Sequence, residues 1–359
     1  MKLTEIQNFC LTNNIAFFSY RLPYSNQIVT GIQLSQKINS FVGFENKQNG
    51  FVIMPFDSQS TAKPLFIQSD ISFIDENIDN FQLEKLLSIH FEAVLTTNST
   101  YETSKEDYLL QANSLINQLK NKELVKIVLS RAINSNLHVK SDAPNLFDKL
   151  TKTYPHAFVS FFNIPGVSCW IGATPETLLK SNSEGIQTMS LAGTKSLNTL
   201  DEWTDKEREE QQMVSDFVEN VLRKFSFSEI EKDGPFDQNA GNVSHLMTKY
   251  YCKGKLTTSD RYELIKKLHP TPAVCGIPRE KAYEMIRMTE QHDREYYAGF
   301  LGPINAEICD LFVNLRCMKL TDEGVSFFVG GGLTAQSQSE SEWKETCMKL
   351  ETLSKVIES

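Results

Sequence analysis

Six segments of the chain have the hydrophobic pattern of helices. In SKEDYLLQANSLINQLKNK, acidic residues fill the first turn, and Leu115, Ile116 and Leu119 continue an apolar face at helical spacing. A longer, more polar segment and the C-terminal segment have the same periodicity. The predicted helices cover 104–122, 146–153, 204–224, 260–268, 278–289 and 339–357.

Short β-type runs bounded by polar turns lie before and between these helices. They come in groups and do not alternate strictly with helices, which favours an α+β fold with large antiparallel sheets over a Rossmann-type fold. No GxGxxG follows a strand and no GxxxxGK[ST] occurs, so neither type of nucleotide site is supported. The predicted strands are 15–23, 27–34, 50–56, 124–133, 156–162, 168–174, 176–181, 186–193, 297–304, 308–318 and 325–332.

Composition and charge narrow the class of protein. The chain has 359 residues, 40% of them hydrophobic, and 36 Lys and Arg against 45 Asp and Glu give a net charge of -9. The hydrophobic fraction can supply a core and excludes disorder, while the acidic balance argues against a nucleic-acid binder. This length allows two domains or one large domain.

The N-terminus and the cysteines indicate a cytoplasmic protein. MKLTEIQNFCLTNN lacks the basic start and apolar run of a signal peptide, and no apolar stretch approaches the ~20 residues of a membrane span. The seven cysteines contain no CxxC pair and are expected to be reduced thiols, not a disulfide scaffold or zinc site.

Acidic residues stand in pairs on two predicted helices. Glu207 and Glu210 are three residues apart, and Glu342 and Glu345 repeat that spacing, so each pair shares a helix face. Two such pairs could hold a hard cation such as Mg²⁺, which binds a few carboxylates together with water and substrate oxygens. The spacing alone is more typical of solvated faces of amphipathic helices.

Three further features carry candidate chemistry, each with a structural alternative. Lys126 lies in the apolar run LVKIVLSR, where loss of water would favour a neutral amine that acts as a base; a lysine also protects an edge strand. Glu176 follows a proline between strands, where a raised pKa would suit an acid, or it is a plain turn residue. The glycines 330–332 would expose backbone N–H groups to an anion, or form a turn.

Taken together, these segments resemble the chorismate-utilising enzymes, which include isochorismate, salicylate and aminodeoxychorismate synthases and anthranilate synthase component I. The matching blocks are KIVLSR, GATPETLL, LAGTKS, TDKEREEQ, HPTPAVCGIP, YAGFLG, VNLRCM, GGG and SEWKETCMKL, in family order. The resemblance implies an α+β fold, a large two-sheet antiparallel α/β sandwich of the anthranilate synthase component I type. It also implies a single chorismate-binding domain over 1–359, with 1–100 as a variable part and 104–357 as the catalytic core.

The resemblance further implies an Mg²⁺-dependent site in a cleft. It assigns Glu210 and Glu345 as direct metal ligands. It assigns Glu207 and Glu342 to contacts with the metal that are mediated by water. Arg316, placed within the strand VNLRCM, is expected to pair with a substrate carboxylate, which suits a planar bidentate donor. The other residues assigned to substrate binding are Thr194, His245, Ala273, Tyr297, Gly330, Gly332 and Lys349.

Family members differ in the nucleophile that they add to the ring. Water-adding members carry a lysine at the position of Lys126; anthranilate synthases, which add ammonia, usually do not, and tend to have threonine in place of Ala273. Aminodeoxychorismate synthases typically have a nucleophilic lysine in place of Ala192. The resemblance therefore implies isochorismate synthase, with salicylate synthase and anthranilate synthase component I as alternatives. Many relatives have a histidine where this chain has Gln211.

The implied reaction converts chorismate to isochorismate. Lys126, as general base, takes a proton from the water that attacks carbon 2, and Glu176, as general acid, protonates the hydroxyl leaving carbon 4. We expect a monomer that needs no amidotransferase subunit, nucleic acid or membrane, with its product serving menaquinone or siderophore biosynthesis. A non-catalytic chorismate-binding paralogue is the alternative from another class.

Overall fold

Eight α-helices lie in the described part of the chain, which in the computed structural model comprises residues 1–44, 49–92, 100–197, 202–241 and 243–358. Side-chain caps set several starts: the hydroxyls of Ser104 and Thr257 each accept the backbone N–H three residues later. None of these helices is long and apolar enough to cross a membrane. The helices are α1 (Leu3–Thr12), α2 (Asn80–Leu87), α3 (Lys105–Lys120), α4 (Ala143–Thr153), α5 (Asp205–Leu222), α6 (Thr258–Leu268), α7 (Arg279–Thr289) and α8 (Ser339–Glu358).

Eighteen strands within those same residues pair antiparallel. They are β1 (Phe17–Arg21), β2 (Ile28–Ile32), β3 (Asn39–Ser40), β4 (Gly50–Met54), β5 (Leu65–Gln68), β6 (Ile71–Ile74), β7 (Lys126–Ser135), β8 (Phe158–Ile164), β9 (Ser168–Thr174), β10 (Thr177–Ser181), β11 (Gly185–Ser196), β12 (Glu229–Ala240), β13 (Val243–Lys253), β14 (Gly276–Ile277), β15 (Phe300–Ile304), β16 (Cys309–Val313), β17 (Cys317–Leu320) and β18 (Val325–Leu333).

The strands form two nine-stranded sheets. The first has the order β14-β7-β18-β17-β9-β8-β1-β2-β6, and the second has the order β12-β13-β11-β10-β16-β15-β4-β5-β3. The prediction of an α+β fold with two large antiparallel sheets is therefore confirmed. Strands from the first hundred residues complete one end of each sheet, so that part of the chain is hydrogen-bonded into both.

Two apolar clusters hold the layers together. Between the sheets, the ring of Phe158 on β8 stacks on Phe312 of β16, with centroids 3.9 Å apart. On the other face of the first sheet, α1, α4 and the end of α8 pack around Phe17 and Phe161, whose rings meet edge to face at 5.0 Å. Aromatic residues at both contacts bury large apolar areas, which is the main favourable contribution to folding.

The predicted strands differ from the observed strands in several places. The run 308–318 is not one strand: β16 belongs to the second sheet and β17 to the first. The glycines 330–332 lie inside β18, paired with Leu129 and its neighbours on β7, which agrees with the predicted strand 325–332 and excludes the alternative of a turn. The edge strand β12 was not predicted, because its residues are mostly polar and exposed and show no apolar alternation.

Candidate active site

A cavity opens where β18 of the first sheet, β11 and β13 of the second, and α5 and α8 come together. Eleven of the fourteen predicted site residues line it, whereas Lys126, Glu207 and Glu342 do not. The eleven are Glu176, Thr194, Glu210, His245, Ala273, Tyr297, Arg316, Gly330, Gly332, Glu345 and Lys349. Residues that are distant in sequence are thus brought together by the crossing between the sheets.

Lys126 is buried beside this cavity at the start of β7. Its Nζ lies 2.7 Å from Oε1 of Glu210 but makes no hydrogen bond of acceptable geometry to any described residue. The apolar strand therefore gives only part of its surroundings, because the side chain is paired with a carboxylate of α5. Edge protection is excluded, since β7 has β14 on one side and β18 on the other.

Three glutamates of α5 and α8 are each paired with a lysine. The pairs are Lys126 with Glu210 at 2.7 Å, Lys206 with Glu342 at 2.9 Å, and Lys349 with Glu345 at 2.8 Å. Burial disfavours the charge of Glu210, but the cations, Lys126 foremost, outweigh it and lower the pKa. Burial and then the charge of Glu345 raise the pKa of Glu342. The cluster is therefore close to electrical balance.

Glu207 is not part of this cluster. Its carboxylate accepts the backbone N–H and the hydroxyl of Thr204 in the capping box that begins α5. The structure thus gives Glu207 a helix-capping contact in place of the expected metal-site contact. The neighbouring Gln211 is buried, and its Nε2 lies 3.0 Å from the Ser190 hydroxyl and 3.2 Å from that of Thr248. This contact fixes α5 against β11 and β13 behind the cavity.

Glu176 lies between β9 and β10 and is only 3% exposed. Burial raises its pKa to about 7, although a hydrogen bond from Thr271 and the charge of Lys126 oppose the shift. The Thr271 hydroxyl donates to Oε1 of Glu176 at 3.4 Å. A carboxyl group with this pKa can give up a proton near neutral pH.

Arg316 lies in the crossover between β16 and β17, not within a strand as predicted. Its φ of 47° is an uncommon, strained conformation for a residue with a side chain, and such strain clusters at functional sites. The Nη1 atom donates to the carbonyl oxygen of Ala240 at 2.7 Å, and Nη2 lies 2.9 Å from Nε2 of His245. Desolvation lowers the pKa of Arg316 to about 10, which leaves it charged at neutral pH.

His245 on β13 orients this guanidinium while remaining neutral. Desolvation, followed by the charges of Arg316 and Lys349, lowers the pKa of His245 to about 3. Its Nδ1 lies 2.8 Å from the Gly193 carbonyl oxygen, which can only accept, so Nδ1 carries the proton and Nε2 accepts from Arg316. Thr194 lies beside the same nitrogen at 3.4 Å.

The glycines of β18 present one backbone edge to the cavity. Lys349 Nζ donates to the carbonyl oxygen of Gly330 at 3.0 Å, so this residue points its backbone away from β7. In an antiparallel strand, alternate residues point the same way, and Gly332 therefore shares that direction. A Cβ on Gly332 would lie 2.8 Å from Oε1 of Glu210 and 3.0 Å from Cε of Lys126. This glycine thus makes room for the ion pair.

Two residues that contact the predicted groups were missed. Lys206 precedes Glu210 by one helical turn, and its contact with Glu342 joins α5 to α8. Thr271 contacts Glu176 from the HPTPAV block. The helical spacing was a signal for Lys206, whereas nothing local in the sequence pointed to Thr271.

The carboxylates of α5 and α8 are chemically suited to a hard cation. Within the described ranges, no three His, Cys, Asp or Glu side chains are arranged to hold a metal ion, and lysines pair with Glu210 and Glu345. Glu210 and Glu345 nevertheless line the cavity, and Glu342 Oε2 is buried without a hydrogen bond. Mg²⁺ takes one or two protein carboxylates together with water and substrate oxygens, so this donor set fits it once the lysines shift.

Comparisons with known proteins show which family the chain is similar to. The profile described as chorismate binding enzyme matches residues 45–358. Isochorismate synthase EntC of Escherichia coli (strain K12) is 30% identical over 245 residues, covering 65% of this chain and 62% of EntC. Isochorismate synthase MenF of Bacillus subtilis (strain 168) is 31% identical over 269 residues, covering 70% of this chain and 55% of that relative. The match therefore spans less than two thirds of either relative.

A solved structure shows the same fold. MenF, the menaquinone-specific isochorismate synthase of Escherichia coli, aligns with a TM-score of 0.78 over 98% of this chain and 90% of that chain. The two sequences are 19% identical in this alignment, so the likeness concerns the architecture alone.

Proposed function

The chain belongs to the chorismate-binding enzyme family, and from that premise we propose that it is an isochorismate synthase. It would isomerise chorismate by adding water at carbon 2 and expelling the hydroxyl from carbon 4. The observation that carries the proposal is a pair of buried groups at one site: Lys126, and Glu176 with a pKa of about 7. A group that accepts a proton from water and a group that donates one to the leaving hydroxyl are what this isomerisation needs.

Two alanines support water as the nucleophile. Ala273 lines the cavity where ammonia-adding relatives tend to have threonine. Ala192 also lines it, where aminodeoxychorismate synthases typically have a nucleophilic lysine. A methyl group can neither bind ammonia nor attack the ring, so both positions favour water addition.

In the proposed mechanism, Lys126 accepts one proton from water as the water oxygen bonds to carbon 2. The ring double bond shifts, the bond from carbon 4 to its hydroxyl breaks, and Glu176 donates the proton that lets this group leave as water. One water enters and one leaves, so substrate and product are isomers. The burial of both side chains keeps bulk water from competing for these protons.

The cavity also offers cations for the two carboxylates of chorismate. Arg316, held by His245 and the Ala240 carbonyl, would pair with one carboxylate, with Lys349 and the backbone of Gly330 near it. Glu210 and Glu345 would hold Mg²⁺, which when bound supplies the charge that orients the other carboxylate. Tyr297, with its pKa raised by burial, offers a neutral hydroxyl to the ring pocket.

Incubation of the purified protein with chorismate and Mg²⁺, followed by chromatography of the products, tests this proposal. Isochorismate as sole product supports it. Salicylate with pyruvate would favour salicylate synthase, anthranilate formed in added ammonium would favour the ammonia-adding class, and no turnover would leave a binding paralogue.

Variants test the assigned roles. Lys126→Met and Glu176→Gln should each abolish turnover while chorismate still binds, since each removes one proton transfer but no carboxylate contact. Lys319→Met is the matched control, because Lys319 is equally buried and ion-paired, with Glu295 at 2.7 Å outside the cavity lining. It should retain the wild-type rate per folded molecule.

The proposal includes a cytoplasmic monomer that works without an amidotransferase subunit. All seven cysteines are free thiols, which suits a reducing compartment. Light scattering coupled to size-exclusion chromatography, with turnover measured on the same fraction, checks the oligomeric state. Activity confined to a dimer peak would contradict it.

A further inference from the structure

Three side-chain oxygens surround the open face of Gly331 on β18. A Cβ built on this glycine would lie 3.7 Å from Oε2 of Glu342, 3.8 Å from Oε1 of Glu345 and 3.8 Å from the hydroxyl oxygen of Tyr108. Among the described residues other than Gly330, Gly331 and Gly332, no atom comes nearer to that position. We call this space the Gly331 pocket; its third oxygen comes from α3, a helix outside the predicted site.

Two of the three oxygens are buried without a partner. Tyr108 is fully buried, and its hydroxyl makes no hydrogen bond to any described residue; the same is true of Glu342 Oε2. The third oxygen, Oε1 of Glu345, is paired with Nζ of Lys349 at 2.8 Å. Leaving a buried polar group unsatisfied costs about 1–3 kcal/mol, and native proteins rarely do so. The Ser337 hydroxyl is close enough to the Glu342 carboxylate to lower its pKa, but it makes no hydrogen bond of acceptable geometry to Oε2. The Gly331 pocket therefore suits a small polar occupant.

The ring of Tyr108 is fixed by its neighbours. The ring of Trp343 on α8 meets the Tyr108 ring edge to face, with centroids 5.4 Å apart. The guanidinium of Arg131 lies 3.9 Å from the centroid of the Trp343 ring. Arg131 Nε also donates to the hydroxyl of Thr346 at 2.8 Å, which anchors α8. A phenylalanine would keep all these ring contacts, so the hydroxyl must serve something other than packing.

We infer that Tyr108 is a positioning residue of the cation site, and that its hydroxyl and Glu342 Oε2 together hold one water molecule beside Gly331. The occupant is neutral, because Lys206 already balances Glu342 and Lys349 balances Glu345. A water with two or three oxygen partners is well satisfied. It would fix the Glu342 carboxylate for a cation held by the adjacent glutamates. This role in a cation site rests on the proposed function.

Mn²⁺ binding to the full chain without chorismate tests the inference, with electron paramagnetic resonance counting the free ion. Tyr108→Phe should raise the Kd for Mn²⁺ by roughly 3–10-fold, the size of one lost hydrogen bond. Gly331→Ala places a methyl group in the pocket at ordinary contact distances and should displace the same water. The double variant should be no weaker than the weaker single variant, because both changes remove one water.

Tyr296→Phe is the matched control. Tyr296 is equally buried, and its hydroxyl donates to the carbonyl oxygen of Lys63 at 2.9 Å. This variant should lower Tm and leave the Kd for Mn²⁺ unchanged, whereas Tyr108→Phe should change the Kd with little effect on Tm.

Three results would overturn the inference: a wild-type Kd in Tyr108→Phe, additive losses in the double variant, or no Mn²⁺ binding by the wild-type chain. The proposed function is judged separately by product analysis. Weakened Mn²⁺ binding in Tyr108→Phe together with absent isochorismate would refute the function and keep the inference. Isochorismate formation by the wild type, together with an unchanged Kd for Mn²⁺ in Tyr108→Phe, would support the function and refute the inference.

Discussion

Raising the pH through about 7 should switch off turnover, because Glu176 must be protonated to act as the acid. Its carboxyl is 3% exposed, and burial raises the pKa from the ordinary 4.5 to about 7. Above that pH, the protonated fraction falls tenfold per pH unit, so kcat/KM at pH ~9 should be roughly one hundredth of its maximum. Below about pH 7 the carboxyl of Glu176 is protonated and no longer limits the rate.

The assay is the initial rate of isochorismate formation between about pH 5.5 and 9.5 at saturating Mg²⁺. Thr271→Val provides the directional control, since its hydroxyl donates to Glu176 and lowers the pKa. Without that donor, the basic limb should move to higher pH. A limb that stays in place in this variant would show that another group controls the profile.

The same pKa makes a prediction about stability. The pKa of Glu176 is higher in the folded state than in the unfolded state. Below pH 4.5 the carboxyl is protonated in both states and costs no stability. As the pH rises from there through about 7, the unfolded chain releases its proton first, so the free energy of unfolding falls. At 1.36 kcal/mol per pH unit, the loss at pH ~8 is roughly 3 kcal/mol. Glu176→Gln cannot ionise, so its free energy of unfolding at pH ~8 should exceed that of the wild type by up to this amount, and the excess should vanish near pH ~4. If the wild type and Glu176→Gln had the same urea midpoint at both pH values, the burial argument would be refuted.

Three further outcomes follow from the ion pair and the guanidinium. Gly332→Ala should lower kcat at least ~10-fold with an unchanged circular dichroism spectrum, because its methyl would displace Glu210 and Lys126; a wild-type kcat would contradict this. Lys126→Met should tighten Mn²⁺ binding several-fold by freeing the Glu210 carboxylate, as measured by paramagnetic resonance, and weaker binding would count against competition for that carboxylate. His245→Phe should raise the KM for chorismate ~10-fold through a misplaced Arg316. In the wild type, KM should show no titration of His245 at pH ~5–7, because its pKa is about 3.

Local periodicity predicted those parts of the site that lie on helices. The acidic pairs of α5 and α8 were visible because residues three apart share a helix face, and Ser104 marked the start of α3. The same rule could not distinguish the two acids of one pair. Glu207 caps its own helix and Glu210 reaches the cavity, a difference that depends on Thr204 and on the packing of α5.

Contacts between distant segments were beyond sequence reasoning. The run 308–318 contains no Gly or Pro, so neither of the strongest turn signals marks the point near Arg316 where the chain passes from one sheet to the other. The partner of Lys126 lies on α5, so a lysine in an apolar strand gave no sign of its ion pair. Such pairings depend on how layers stack, which the pattern within one element does not report.

The charges of the site explain how an acidic chain can bind a dianion. Three glutamates and three lysines in the cluster cancel, so the chain's net charge of -9 is not concentrated there. A divalent cation added to this balanced cluster gives it two positive charges, and Arg316 gives the cavity a third. Chorismate brings two negative charges, so the loaded site attracts the substrate, whereas the site without the cation relies mainly on Arg316. Chorismate affinity should therefore depend on Mg²⁺ more strongly than the fold does, because the cation changes the charge of the cavity while the sheets and their apolar core stay as they are.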